Sequence, residues 1–226
     1  MSLIKELKEE YELYKDRDPA LRSYWDVLLY PCHHALKAYR KAHKLWLQGK
    51  CFRARLISQK AARKTGIEIH PGATIGKGLF IDHGAGVVIG ETTVIGDNCT
   101  LYQGVTLGGT GKEHGKRHPT LKDGVMVSAG AKLLGSFTVG ENSKIGAGSV
   151  VLDEIPPNCT VVGVPGRVVR RANRKTPCAD MDQMHLPDPV LDDLRTLQRE
   201  NSELVNRVLE LEKEMQEVKG KEENPS

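Results

Sequence analysis

From Ile69 onward an aliphatic residue returns every six positions, at Ile69, Ile75, Ile81 and Val87. The phase slips by two and resumes at Ile89, Ile95, Leu101 and Leu107. After a gap it returns at Leu121, Val127, Leu133, Val139, Ile145 and Val151. A period of six belongs neither to a helix nor to simple strand alternation. It is the signature of a parallel β-helix. Each hexapeptide supplies a short flat strand and a turn, and three of them close a triangular coil. One aliphatic side chain per hexapeptide points inward and stacks on its equivalent in the next coil. Glycine follows at once in Ile75-Gly76, Ile89-Gly90, Ile95-Gly96, Leu107-Gly108, Val139-Gly140 and Ile145-Gly146, where it serves the turns. The narrow interior accounts for only 5% aromatic residues beside 23 glycines. Such coils do not bury their own ends, so the stack needs caps and favours oligomers.

The repeat is interrupted over Gly108 to Thr120, GGTGKEHGKRHPT, a segment with no inward aliphatic. It must leave the coil as a loop, and long loops on rigid scaffolds tend to carry function. This one holds His114, Arg117 and His118.

The flanks differ from the repeat. Residues 1–68 read as helices: Leu3, Ile4, Leu7, Tyr11 and Tyr14 form one apolar face, and Leu36, Tyr39, Ala42 and Trp46 form another. Asp18-Pro19 suits an Asp cap followed by a first helical turn. Lys37 to Lys64 carries ten basic side chains and no acid. This reads as a solvated helix face beside an anionic site, with a nucleic-acid surface as the alternative. Near the end, Val190, Leu194, Leu197, Asn201, Leu204, Val208, Leu211, Met215 and Val218 step 4-3-4-3, a heptad seam with one Asn core position. The alternative is a lone amphipathic helix packed on the body. The expected domains are helical 1–66, β-helix 67–172, linker 173–189, coiled-coil helix 190–219 and tail 220–226.

Thirty-three basic residues against twenty-nine acidic ones give +4, too balanced to indicate a nucleic-acid protein. Five dispersed cysteines without a CxxC pair exclude a disulfide framework or zinc ribbon and fit a reducing compartment. There is no signal peptide and no apolar run to span a bilayer, so a cytoplasmic protein is expected.

Several motifs together resemble bacterial serine O-acetyltransferase. They are Arg17-Asp18-Pro19-Ala20, the run His34 to Arg40, His70-Pro71, Ile81-Asp82-His83, Gly90-Glu91-Thr92, Gly104 to Gly111, Lys116-Arg117-His118-Pro119 and Gly163-Val164-Pro165-Gly166. The similarity covers about residues 15–170. It implies acetyl transfer from acetyl-CoA to the L-serine hydroxyl, a left-handed β-helix, homotrimers with sites between adjacent subunits, and feedback inhibition by L-cysteine. The overall expectation is an α+β chain: a helical domain, a left-handed β-helix and a coiled-coil helix.

A serine hydroxyl needs a base as it attacks a thioester. Histidine is suited to that task, and the resemblance assigns it to His83. A base needs an orienter, and the matching position is Glu68, where the best-known members carry Asp. One eighteen-residue turn below His83 is Thr65, so the two regions are expected to stack. Asp18, Asp82, Arg117 and His118 match the substrate-binding positions. Two aspartates suit an ammonium, and Arg117 suits a carboxylate. Gly109, Thr110, Ala129, Ala147 and Gly148 match positions lining the pantetheine, and Lys144 is a candidate for a CoA phosphate. Acetyl-CoA is then a co-substrate, with no permanently bound cofactor and no metal. No Cys falls in these motifs, which favours direct transfer in a ternary complex. Family members dock O-acetylserine sulfhydrylase by a C-terminal isoleucine, whereas this sequence ends Asn224-Pro225-Ser226.

Three other readings compete. The first is another hexapeptide O-acetyltransferase acting on a sugar or xenobiotic hydroxyl. The second is a metalloenzyme of the γ-type carbonic anhydrase class, using His83, His114 and His118. The third is a non-catalytic scaffold with a trimeric stalk.

Overall fold

The computed structural model describes residues 3–111, 114–170 and 189–222. Contacts divide the chain between Pro187 and Asp188 into two units.

The first unit begins with α1 (Leu3–Tyr14), whose buried face is Leu7, Glu10 and Tyr14. Ile4, expected on that face, is exposed. Glu10 is buried because His33 Nδ1 lies 2.7 Å from its carboxylate and Arg40 sits 3.6 Å from the other oxygen. Asp18-Pro19 does not open a helix, contrary to the reading of the sequence. Asp18 Oδ1 instead accepts the Ala20 N–H at 2.8 Å, closing a turn, and the next element is a 3₁₀ turn, Asp26–Leu29. The helical run that follows is two helices, α2 (Pro31–Leu47) and α3 (Cys51–Thr65). They cap the first coil with side-chain donors: Tyr39 to Ala73 O at 2.6 Å and Ser58 to Ile69 O at 2.7 Å. His43 Nδ1 lies 2.7 Å from Pro71 O. Carbonyls that the end of a solenoid would leave unpaired are thereby satisfied.

From Ile67 the chain forms a left-handed parallel β-helix with three faces. Five parallel strands make the first face, four the second and five the third. An antiparallel strand, Arg167–Arg170, pairs with Thr160–Val162 and adds a sixth to the third face. The aliphatic period becomes three interior ladders. The first runs Ile69, Ile89, Leu107, Leu133, Val151. The second runs Ile75, Ile95, Leu121, Val139, Ile155. The third runs Ile81, Leu101, Val127, Ile145, Val161. All but Ile75 are buried. Val87, read as one step of the period, is also buried but pairs with Ile67, two places before the ladder residue Ile89.

The second unit contains α4 (Pro189–Glu222). Its seam residues Val190, Leu194, Leu197, Leu204, Val208, Leu211 and Met215 are all exposed, between 42% and 66%. The expected linker falls almost wholly on 171–188, outside the described residues. No helix of the described residues is long and apolar enough to cross a membrane.

Candidate active site

Two places break the six-residue period, and each carries part of the expected site. The first is the corner between Phe80–Ile81 and Val87–Ile89. Ile81 to Ile89 takes eight residues where the next coil, Leu101 to Leu107, takes six. Asp82 N–H still donates to Leu101 O and Ala85 O still accepts from Gly104 N–H, each at 2.9 Å. The two surplus residues are therefore His83 and Gly84. Both take positive φ, 57° and 72°. That conformation is costly for a non-glycine residue, and it turns the His83 side chain outward, 75% exposed.

Asp82 Oδ1 is 3.9 Å from His83 Nε2, a charge neighbour rather than a hydrogen-bonded orienter. Burial holds the Asp82 carboxyl above its ordinary range; His83 opposes this, and nearby Asp18 adds to it. Asp18 is fixed from two sides, by Ala20 N–H and by the Tyr30 hydroxyl, which donates to Oδ2. Arg17 pins the segment to the coil: its Nη1 donates to Gly78 O at 3.0 Å and Cys99 O at 3.3 Å. Asp18, Tyr30, Asp82 and His83 thus form one cluster, two carboxylates beside an open imidazole.

The second break is the loop between Thr106–Gly108 and Thr120–Leu121. Gly90, Glu91 and Thr92, on the preceding coil, hold it. Thr92 Oγ1 accepts the backbone N–H groups of Arg117 and His118 at 3.0 and 3.2 Å. Thr92 N–H donates to His118 Nδ1 at 3.2 Å, and the Thr92 hydroxyl lies 2.9 Å from the same nitrogen. With Nδ1 accepting, the ring proton of neutral His118 sits on Nε2. Burial, then Arg117 and Lys116, hold the His118 pKa below 6.5 and keep it neutral. The ring needs Gly90: a Cβ there would stand 2.0 Å from His118 Cδ2. Glu91 accepts a hydrogen bond from Arg117 Nη2, which holds the Glu91 carboxyl below its ordinary range.

These two groups do not meet within one chain. The first lies at the corner before the strand Val87–Ile89, the second at the corner after it. With ~3.3 Å of rise per extended residue, that edge separates them by roughly 15–20 Å. The CoA-matching residues divide in the same way. Gly109 and Thr110 belong to the loop corner. Ala129, Ala147 and Gly148 stack in the His83 corner column, where Gly130 N–H donates to Gln103 O and Gly148 N–H to Ala129 O. With ~4.8 Å between coils, the column from Ala85 to Ala147 runs about 14 Å.

Glu68 points out from the strand Ile67–Ile69 and accepts a hydrogen bond from Gln59 Nε2 at 3.3 Å. It pairs in register with Val88, because the turn here takes twenty residues rather than eighteen. Among the described residues no hydrogen bond joins it to His83. Lys144, the candidate for a CoA phosphate, is 5% exposed on the strand Lys144–Ile145. Among the described residues no group of three or more His, Cys, Asp or Glu is placed to hold a metal. The sequence reading passed over Tyr30 and the tethering role of Thr92. The slip of two in the period was the available signal that the His83 corner is enlarged.

No family model matches the chain. The chain is 55% identical over 214 residues to a serine acetyltransferase of Bacillus subtilis (strain 168), covering 94% of this chain and 95% of that protein. A solved serine acetyltransferase in complex with cysteine superposes with a TM-score of 0.77 at 42% identity, covering 81% of this chain and 72% of the other. A serine acetyltransferase from Brucella abortus strain S19 in complex with coenzyme A gives 0.71 at 45% identity, covering 74% and 67%.

Proposed function

The chain belongs to the serine acetyltransferase family, and on that premise we propose that His83 is the general base in acetyl transfer from acetyl-CoA to L-serine. The observation that carries this is the two-residue insert that lifts the His83 imidazole out of the coil beside two carboxylates. Asp18 and Asp82 hold the substrate ammonium, and Arg117 takes its carboxylate. His83 removes the hydroxyl proton as the serine oxygen attacks the thioester carbon. A tetrahedral intermediate forms, its oxyanion met by the Nε2–H of His118. The C–S bond then breaks, and the proton on His83 passes to the departing thiolate. No acyl-enzyme is needed, since the acceptor itself attacks.

Because a single chain holds its two groups at separate corners, the working unit is a homotrimer. The His83 corner of one subunit faces the loop corner of its neighbour, and α4 joins the three chains through its exposed seam. The thioester arm lies along Ala129, Ala147 and Gly148. Glu68, which accepts a hydrogen bond from Gln59, is the candidate orienter of His83 from the matching family position. L-cysteine, which carries the same ammonium and carboxylate as serine, occupies the site as inhibitor; a relative has been solved in complex with cysteine. A cytoplasmic setting belongs to the same reading, supported by Cys32 and Cys159 standing as buried thiols outside any disulfide.

Thiol release from acetyl-CoA tests the reaction, with L-serine against L-homoserine and galactoside controls. L-Serine is expected to be preferred, and His83→Ala to lower kcat by about 10²–10⁴. Full activity in that variant would remove His83 from the mechanism, and preference for the galactoside would favour the sugar-directed reading.

A further inference from the structure

Tyr30 lies outside every motif that marks the site, yet its side chain reaches both elements that carry the two carboxylates. It ends the 3₁₀ turn and immediately precedes Pro31, the first residue of α2. Its hydroxyl donates to Asp18 Oδ2. Its ring lies 6.4 Å from that of Phe80, a buried residue two places before Asp82. Asp18 thus has a donor on each oxygen, since Ala20 N–H takes Oδ1 at 2.8 Å. A carboxylate held on one oxygen can swing about its Cβ–Cγ bond, whereas one held on both has its plane fixed. Each carboxylate oxygen can accept two hydrogen bonds, so both keep a position open for a ligand. Burial, then the hydrogen bond to Asp18 and the charges of Asp18, Asp82 and Asp26, hold the Tyr30 phenol above its ordinary pKa, which keeps it a donor. Asp26 does not compete for the hydroxyl, because its carboxylate accepts from the backbone of Arg22 and Ser23 and from the Ser23 hydroxyl. Two carboxylates that share a site repel one another, and a donor that fixes Asp18 opposes their separation.

We infer that Tyr30 is a positioning residue for the substrate ammonium: its hydroxyl fixes the Asp18 carboxylate in the orientation that, together with Asp82, receives the ammonium protons. This rests on the serine reading given above. Tyr30 acts through Asp18 and not on the reacting hydroxyl or the thioester. Losing its hydroxyl therefore weakens amino-acid binding more than it slows the chemical step. L-Cysteine carries the same ammonium and shares the loss.

Steady-state kinetics of Tyr30→Phe tests this, with thermal unfolding run beside it. The variant removes one oxygen and keeps the ring beside Phe80. The KM for L-serine is expected to rise at least about tenfold, the effect of losing a hydrogen bond to a charged group. The fall in kcat should stay below about threefold, and the KM for acetyl-CoA should stay within about twofold. Half-inhibition by L-cysteine should move up by the same factor as the serine KM. In an Asp18→Ala background the same change should lower kcat/KM less than about twofold, because the hydroxyl has nothing left to hold. An unchanged serine KM, a fall in kcat as large as the rise in KM, or equal losses with and without Asp18 would each overturn the assignment. A wild type that acetylates the galactoside and not L-serine would instead remove the serine reading, and this inference with it.

Discussion

At the scale of single residues, the role proposed for the loop depends on positions that do no chemistry. Gly90 leaves room for the His118 ring, and a methyl group there has no space unless the imidazole moves. Gly90→Ala is therefore expected to cut kcat/KM by at least about tenfold, since a shift of about 1 Å at a positioned group costs that much or more. The melting temperature should change little, because the clash is with a loop side chain and not with an interior ladder. Steady-state kinetics beside thermal unfolding would check both halves. Acid should loosen the same seat. Glu91 has a folded pKa below its ordinary value, so its grip on Arg117 contributes above the usual carboxylate range and is lost as pH falls through the lowered value. His118, also lowered, resists protonation and adds to the penalty as pH drops below its ordinary value. Amide exchange at Arg117 and His118, whose N–H groups Thr92 holds, should accelerate relative to the ladder strands as pH falls, after correction for intrinsic rates. The types and positions of Asp18, Asp82, His83, Arg117 and His118 were legible in the sequence. The contacts of Tyr30 and Thr92 were not, because a hydroxyl that donates to another side chain leaves no spacing pattern behind.

At the scale of elements, periodicity carried the most information. The aliphatic ladder was readable because each inward position holds Ile, Leu or Val, and a substitution such as Leu107→Ala in its middle is expected to cost about 2–5 kcal/mol. Urea unfolding would measure this. Corners were harder to read: the slip of two at His83 and Gly84 was visible, but its consequence depends on which residue takes the positive φ. Helix α1 shows a different limit. Its pattern suggested an apolar stripe, yet its buried face includes Glu10, paired to His33 and Arg40. Glu10→Ala would leave a buried imidazole without its partner and is expected to destabilise by about 1–3 kcal/mol. It should also raise the serine KM, because α1 leads directly into the Arg17-Asp18 segment. The sequence offers Asp18 as a helix cap, a role its side chain fills only in miniature, since Pro19 and Ala20 turn without starting a helix.

At the scale of the whole molecule, the strongest consequence of the two-corner layout concerns mixed assemblies. In the proposed trimer, each site takes His83 from one subunit and Arg117 from the next. A chain carrying His83→Ala keeps an intact loop corner, and a chain carrying Arg117→Ala keeps an intact base. Each homotrimer should be close to inactive. Co-expressed at equal levels and mixing at random, the two should recover about one quarter of wild-type activity, the chance that one given corner and its facing neighbour are both intact in a closed ring. Were each site contained in one chain, every site would keep one lesion and nothing would be recovered. Deleting α4 separates two sources of the assembly. If the coiled-coil seam alone holds the three chains, the shortened chains fall apart and lose activity together. If the coil faces also bind one another, the trimer persists, and recovery in the mixed assembly should stay near the same fraction. Sedimentation and activity measured on the same mixed sample decide between these outcomes.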